Sequence, residues 1–133
     1  MHKLKYIILV FAVLSAPLAV SPVPVPDIPV KVFKHIENGN VESLSEYFSE
    51  SIELILLDKE GIYSKAQASQ ILKKFFHGNR PKSFNVLHKG GSENAKYAIG
   101  TLSTSKGKYR IHFLVKIKNN QALIHQLRIQ EEE

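Results

Sequence analysis

The sequence predicts an α+β fold in which three N-terminal helices pack in the concave face of a curved, mostly antiparallel sheet. Two patterns of apolar residues carry this expectation. Up to Phe76 they recur mainly at helical spacing, and after Pro81 they alternate with a period of two over four consecutive segments. The 133 residues include no Cys and no Trp, so disulfide frameworks, thiolate metal sites and cysteine nucleophiles are excluded, and packing must hold the fold. Once the ends are trimmed about 100 residues are left, enough for one core and no second domain.

At the start, Lys3 and Lys5 precede the apolar run Tyr6 to Leu14 and small residues follow, the layout of a signal peptide over residues 1–21. Pro17 limits its helix to about eleven residues, roughly 16 Å against a hydrocarbon core of ~30 Å, too short for a conventional spanning helix. Pro17 and Pro22 fall beside the candidate cleavage points at Ala19 and Ser21, so removal and retention as an anchor are both open. Export to the periplasm or envelope, or secretion, is expected. Five of the six prolines lie between Pro17 and Pro29. Residues 22–29 therefore read as a stiff extended spacer, ahead of a domain at 30–130 and an acidic tail at 131–133.

Within the domain, Val30, Phe33 and Ile36 mark a short helix stopped at Gly39. Asn40 caps a second, with Val41, Leu44, Tyr47 and Phe48 on its inner side. Ile52 to Leu57 and Ile62 to Tyr63 read as short strands around the turn DKEG. The third helix has the clearest signals: Ser64 and Gln67 make a capping box, Ala68, Ile71, Leu72, Phe75 and Phe76 keep helical spacing, and Gly78 ends it. Strands are predicted at Phe84 to His88, Lys96 to Thr104, Lys108 to Lys118 and Gln121 to Gln130.

Turn chemistry predicts two registers. A three-residue loop, Ser105 to Gly107, pairs Ser103 with Tyr109, Thr101 with Ile111 and Ile99 with Phe113. In the last hairpin, a two-residue Asn119-Asn120 loop would set Phe113 opposite Gln126 and Ile111 opposite Arg128, mixing core with solvent. A three-residue loop from Lys118 to Asn120 instead pairs Val115 with Leu123, Phe113 with His125 and Ile111 with Leu127, so that register is expected. It puts His125 on the buried face. The outer face then carries an apolar row of Ala98, Leu114 and Ile124, bounded by Arg110 and Arg128 on one side and by Lys96 and Lys116 on the other. Such a row suits a second subunit or an envelope protein. Arg110 opposite Arg128 adds a repulsion that an acidic partner would relieve.

The formal net charge of +6 is unevenly placed: residues 27–60 sum to −5, 61–130 to +12 and 131–133 to −3. Opposite fields in the two halves suit internal attraction or self-association. Nucleic acid is not an expected partner, because no aromatic, glycine-rich recognition motif accompanies the basic segment.

The order helix, helix, strand pair, capped helix and long antiparallel sheet resembles the nuclear transport factor 2-like superfamily, whose sheet wraps three helices into a cone. The likeness rests on ENGNVESLSEYF, EGIYSKAQASQILKKFF and LIHQLRIQ, and it covers Val30 to Gln130. In full, the chain resembles a family of exported bacterial proteins known as domain of unknown function 4783. Ketosteroid isomerase-like and polyketide cyclase-like (SnoaL-like) enzymes of the superfamily carry a Tyr, a carboxylate base and a second acid in the cone. At those positions this chain has Phe33, Leu56 and Phe113, none of which moves a proton. The resemblance therefore implies a cone without that chemistry, and a homodimer formed through the outer sheet face. Asp58, close to the base position, reads as a turn residue.

His35, His77, His88, His112 and His125 show no metal-ligand spacing, no nucleophile elbow accompanies the Ser, His and Asp residues, and Gly90-Gly91 reads as a turn. No metal or cofactor is expected. His125 has two readings: a neutral core histidine, or the centre of a pocket to which Tyr97, Thr101, Tyr63 and His88 lend polar groups. The expected function is a non-catalytic exported interaction or self-association module. The alternative is a binder of a small apolar ligand, or an enzyme, working around His125. Free volume in the cone near His125 would separate the two.

Overall fold

The structure, a computed structural model, describes Pro17 and residues 27–133. Apart from Pro17, the predicted export segment and residues 22–26 of the spacer lie outside the described residues. Among the described residues no helix is long and apolar enough to cross a membrane.

Helix α1 spans Val30–Asn38 and ends at Gly39, whose φ of 64° gives the left-handed cap that glycine adopts without strain. The Asn40 side chain accepts from Ser43 N at 3.2 Å and starts α2, Val41–Ser45. Strands β1, Phe48–Leu56, and β2, Lys59–Ser64, form a hairpin whose turn is set by Leu57 at φ 55°. Ser64 and Gln67 then make the predicted capping box of α3, Lys65–Gly78. Strands β3 (Pro81–Gly91), β4 (Ala95–Thr104), β5 (Gly107–Lys118) and β6 (Gln121–Glu131) complete a six-stranded sheet in the order β2-β1-β6-β5-β4-β3. Every neighbouring pair is antiparallel except β1 and β6, which run parallel.

The fold class is as expected, with two local corrections in the helical part. Phe48 leaves α2 and opens β1, still fully buried. Val30 is 65% exposed, and Val32 with Ile36 forms the buried stripe of α1.

Both predicted hairpin registers are corrected. In the β4–β5 hairpin the loop has two residues, because the Thr104 hydroxyl closes the turn: it donates to Gly107 O at 2.8 Å and accepts from Lys106 N at 3.2 Å. The slip of one residue sends Ala98, Gly100 and Leu102 inward, opposite Phe113, Ile111 and Tyr109, and sends Tyr97, Ile99 and Thr101 outward.

In the β5–β6 hairpin Asn119 and Asn120, at φ 53° and 60°, supply the two left-handed positions of a tight two-residue loop. That loop alone would put core against solvent, and a β-bulge removes the conflict. The pairing passes from Val115 with Ile124 to Leu114 with Gln126, leaving His125 as the extra residue, so Phe113 meets Leu127 and Ile111 meets Ile129. His125 is therefore not the cross-strand partner of Phe113.

Candidate functional site

The concave interior is closed at its α1 end by rings. Phe33, Phe84 and Phe113 stand with centroids 5.9 to 6.1 Å apart in tilted and edge-on contacts. Gly100 makes room for them, since a Cβ there would lie 2.4 Å from Phe84 Cζ and 2.7 Å from Asn85 O. The Lys89 ammonium lies 5.5 Å from the Phe33 ring and 3.8 Å from Asp27, on the rim of this cluster. Phe33 and Phe113, two of the three isomerase-type positions, thus belong to one packed aromatic group with no proton to transfer.

The third position, Leu56, borders the open part of the interior. A cleft of about 350 Å³ lies between β1, β2 and α3, with Leu54 and Leu56 as its floor, Ile71 and Phe75 as a wall and Tyr63, Lys59 and Lys74 around its mouth. Asp58 sits in the β1–β2 turn and borders a separate depression with Leu57, Gln130 and Glu131.

Of the pocket residues expected from sequence, only Tyr63 lines this cleft. His88, Tyr97, Thr101 and His125 belong to the outer face, because the shifted registers and the bulge turn them away from the helices. The remaining lining residues, Leu54, Lys59, Ile71, Lys74 and Phe75, were missed as a site. Ile71, Lys74 and Phe75 do recur at helical spacing, a signal that a cation edges the apolar stripe of α3.

The outer face is built from cross-strand rows. One runs His88, Ile99, His112, Arg128 and Ile55 over β3, β4, β5, β6 and β1; a second runs Tyr97, Leu114, Gln126 and Glu53 over β4, β5, β6 and β1. Ala98 and Ile124, expected in the outer apolar row, are instead 0% and 1% exposed in the core. Leu114 does face outward. Arg110 pairs with Gln130 and Arg128 with His112, so the predicted Arg–Arg opposition is absent. Arg110 instead binds Glu132 of the tail at 3.2 Å.

Electrostatics on this face follow from the crowding of bases. Burial, with Arg128 and Arg110 beside it, lowers the His112 pKa, and burial with Lys116 nearby lowers that of His125. Hydrogen bonds from Arg110 and Thr101 lower the pKa of the Glu132 carboxyl.

A curved six-stranded sheet folded around three helices is the nuclear transport factor 2-like, cystatin-like fold. The family model described as domain of unknown function (DUF4783) matches residues 29–130, and the chain belongs to that family. A DUF4783 family protein from Bacteroides ovatus is 32% identical over 80% of this chain and 96% of its own, with a TM-score of 0.77. One from Bacteroides fragilis is 33% identical over 80% of this chain and all of its own, at 0.76. At the level of fold alone, an NTF2-like protein of unknown function from Cytophaga hutchinsonii is 10% identical over 77% of this chain and 85% of its own, at 0.57. No match was found among curated proteins.

Proposed function

We propose that this domain is a non-catalytic self-association module of the cell envelope that joins two copies through the outer sheet face. The observation that carries the reading is an apolar set outside the core. Tyr97 is 42% exposed and Ile99 and Leu114 are half-buried in adjacent rows of the outer face, next to Ile55, which the single chain already buries. The Nε atoms of Arg110 and Arg128 lie buried on the same face with no hydrogen-bond acceptor among the described residues. An unmet donor of this kind costs about 1–3 kcal/mol, which an acceptor on a second copy would offset. Because Glu132 already answers Arg110, the acids of residues 27–60 are the source of complementary charge. The side chains of Phe33, Leu56 and Phe113 favour a role without proton transfer.

Sedimentation at micromolar concentration tests the reading. The unmodified chain should be dimeric, and Leu114→Glu, which puts a carboxylate into the apolar row, should weaken association by at least about tenfold while leaving the monomer folded. A purely monomeric unmodified chain overturns it. The envelope location rests on Lys3, Lys5 and the run Tyr6 to Leu14. Mass spectrometry of protein from the native envelope should show the loss of about two kilodaltons, and an intact Met1 in a soluble cytoplasmic fraction would contradict export.

A further inference from the structure

The cleft between β1, β2 and α3 opens on the concave side of the sheet, opposite the outer face, so its chemistry is independent of self-association. We propose that it binds a small amphipathic anion, an acyl chain ending in a carboxylate. Its floor and wall are aliphatic and aromatic: Leu54 and Leu56 are 1% and 9% exposed, and Ile71 and Phe75 face them from α3. Its volume of about 350 Å³ falls at the lower end of the range for small-molecule sites.

Recognition of the charged end comes from the mouth. Lys59 and Lys74 have no carboxylate within ion-pair distance among the described residues, whereas the adjacent Lys73 is held by Glu42 at 3.3 Å. The acids next to Lys59 in the chain are turned elsewhere. Asp58 borders the depression beside Gln130, and Glu60 pairs with Ile55 on the outer face. Two cations therefore share an apolar opening without an internal counter-ion.

Tyr63 adds a hydroxyl, and Gly61 lets it lie there. A Cβ on Gly61 would stand 2.8 Å from the Tyr63 Cζ and hydroxyl, so the bare backbone allows the ring to lie along β2 at the cleft edge. A carboxylate accepts from that hydroxyl and from both ammonium groups. A neutral alcohol forgoes the charge attraction, and a cationic head group is repelled.

Calorimetric titration of the full chain tests this directly, with decanoate and decyltrimethylammonium below their micellar concentrations and decanol below its solubility limit. Decanoate should bind one per chain in the micromolar range, and the other two at least about tenfold more weakly. The double variant Lys59→Gln, Lys74→Gln should lose about tenfold for decanoate with an unchanged melting temperature, because both side chains are exposed. Ile71→Trp, which fills the cleft, should abolish binding. Absence of decanoate binding, equal affinity for decanol, or full retention of binding in either variant overturns the proposal.

Discussion

Arg110 on β5 and Glu132 beyond β6 are ion-paired at 3.2 Å, and the same carboxylate accepts the Thr101 hydroxyl of β4 at 2.8 Å. One acid of the tail thus ties three strands together. Its lowered pKa means that the folded state favours the ionised form, so the stabilisation is present above the unfolded carboxyl range and is lost as pH falls through the folded value. Glu132→Gln should therefore lower the melting temperature at neutral pH, and the gap to the unmodified chain should start to narrow once pH falls below the unfolded carboxyl value of about 4.3. Thermal melts across that range check it, and a constant gap would show that the charge is not what stabilises.

His112 should make the fold acid-sensitive in a second, higher window. Burial and the two arginines lower its pKa, so the fold holds it neutral. Stability is full above the unfolded value of about 6.5 and declines as pH drops below it. Comparing denaturant midpoints at about pH 7.5 and about pH 5.5 should show a smaller decline for His112→Gln than for the unmodified chain. His125, shifted in the same direction, should leave a residual decline.

Gly100→Ala should destabilise the domain by about 1–3 kcal/mol. The Phe84 ring could tilt away from the added methyl, but Asn85 O, at 2.7 Å, belongs to the paired backbone of β3. Urea denaturation gives the number, and an unchanged midpoint would mean that β3 and β4 separate freely.

His125 offers a contrast between side chain and backbone. As a half-buried bulge residue on the outer face it should tolerate both Leu and Asp within about 1 kcal/mol. Deleting it should prevent folding, because without the extra residue Leu127 and Ile129 would point to solvent. Circular dichroism of the substitution and deletion variants separates these outcomes.

What could be read in the sequence divides by range. The capping box of α3 and the stop at Gly39 depend on neighbours within four residues and formed as expected, whereas Gly78 stays in α3 and Asn79 caps it. Hairpin registers depend on a compromise between turn and core. At Asn119-Asn120 the turn preference won and the bulge at His125 restored the core, an outcome that alternation alone does not encode. The parallel pairing of β1 with β6 joins segments more than seventy residues apart, and no local pattern announces it. The cleft shows the same limit: Tyr63 was legible as a polar aromatic, whereas its meeting with Lys59 and Lys74 depends on how α3 lies across β1 and β2.

The parallel joint between β1 and β6 also orders events in time. Among the described strands β1 is made first and its central neighbour β6 after all the others, so β1–β2 and β3–β5 are two separate pieces until Gln121 to Glu131 lies between them. Such late closure of a non-local contact slows folding. The eleven residues of β6 are thus the latch that turns two partial sheets into one.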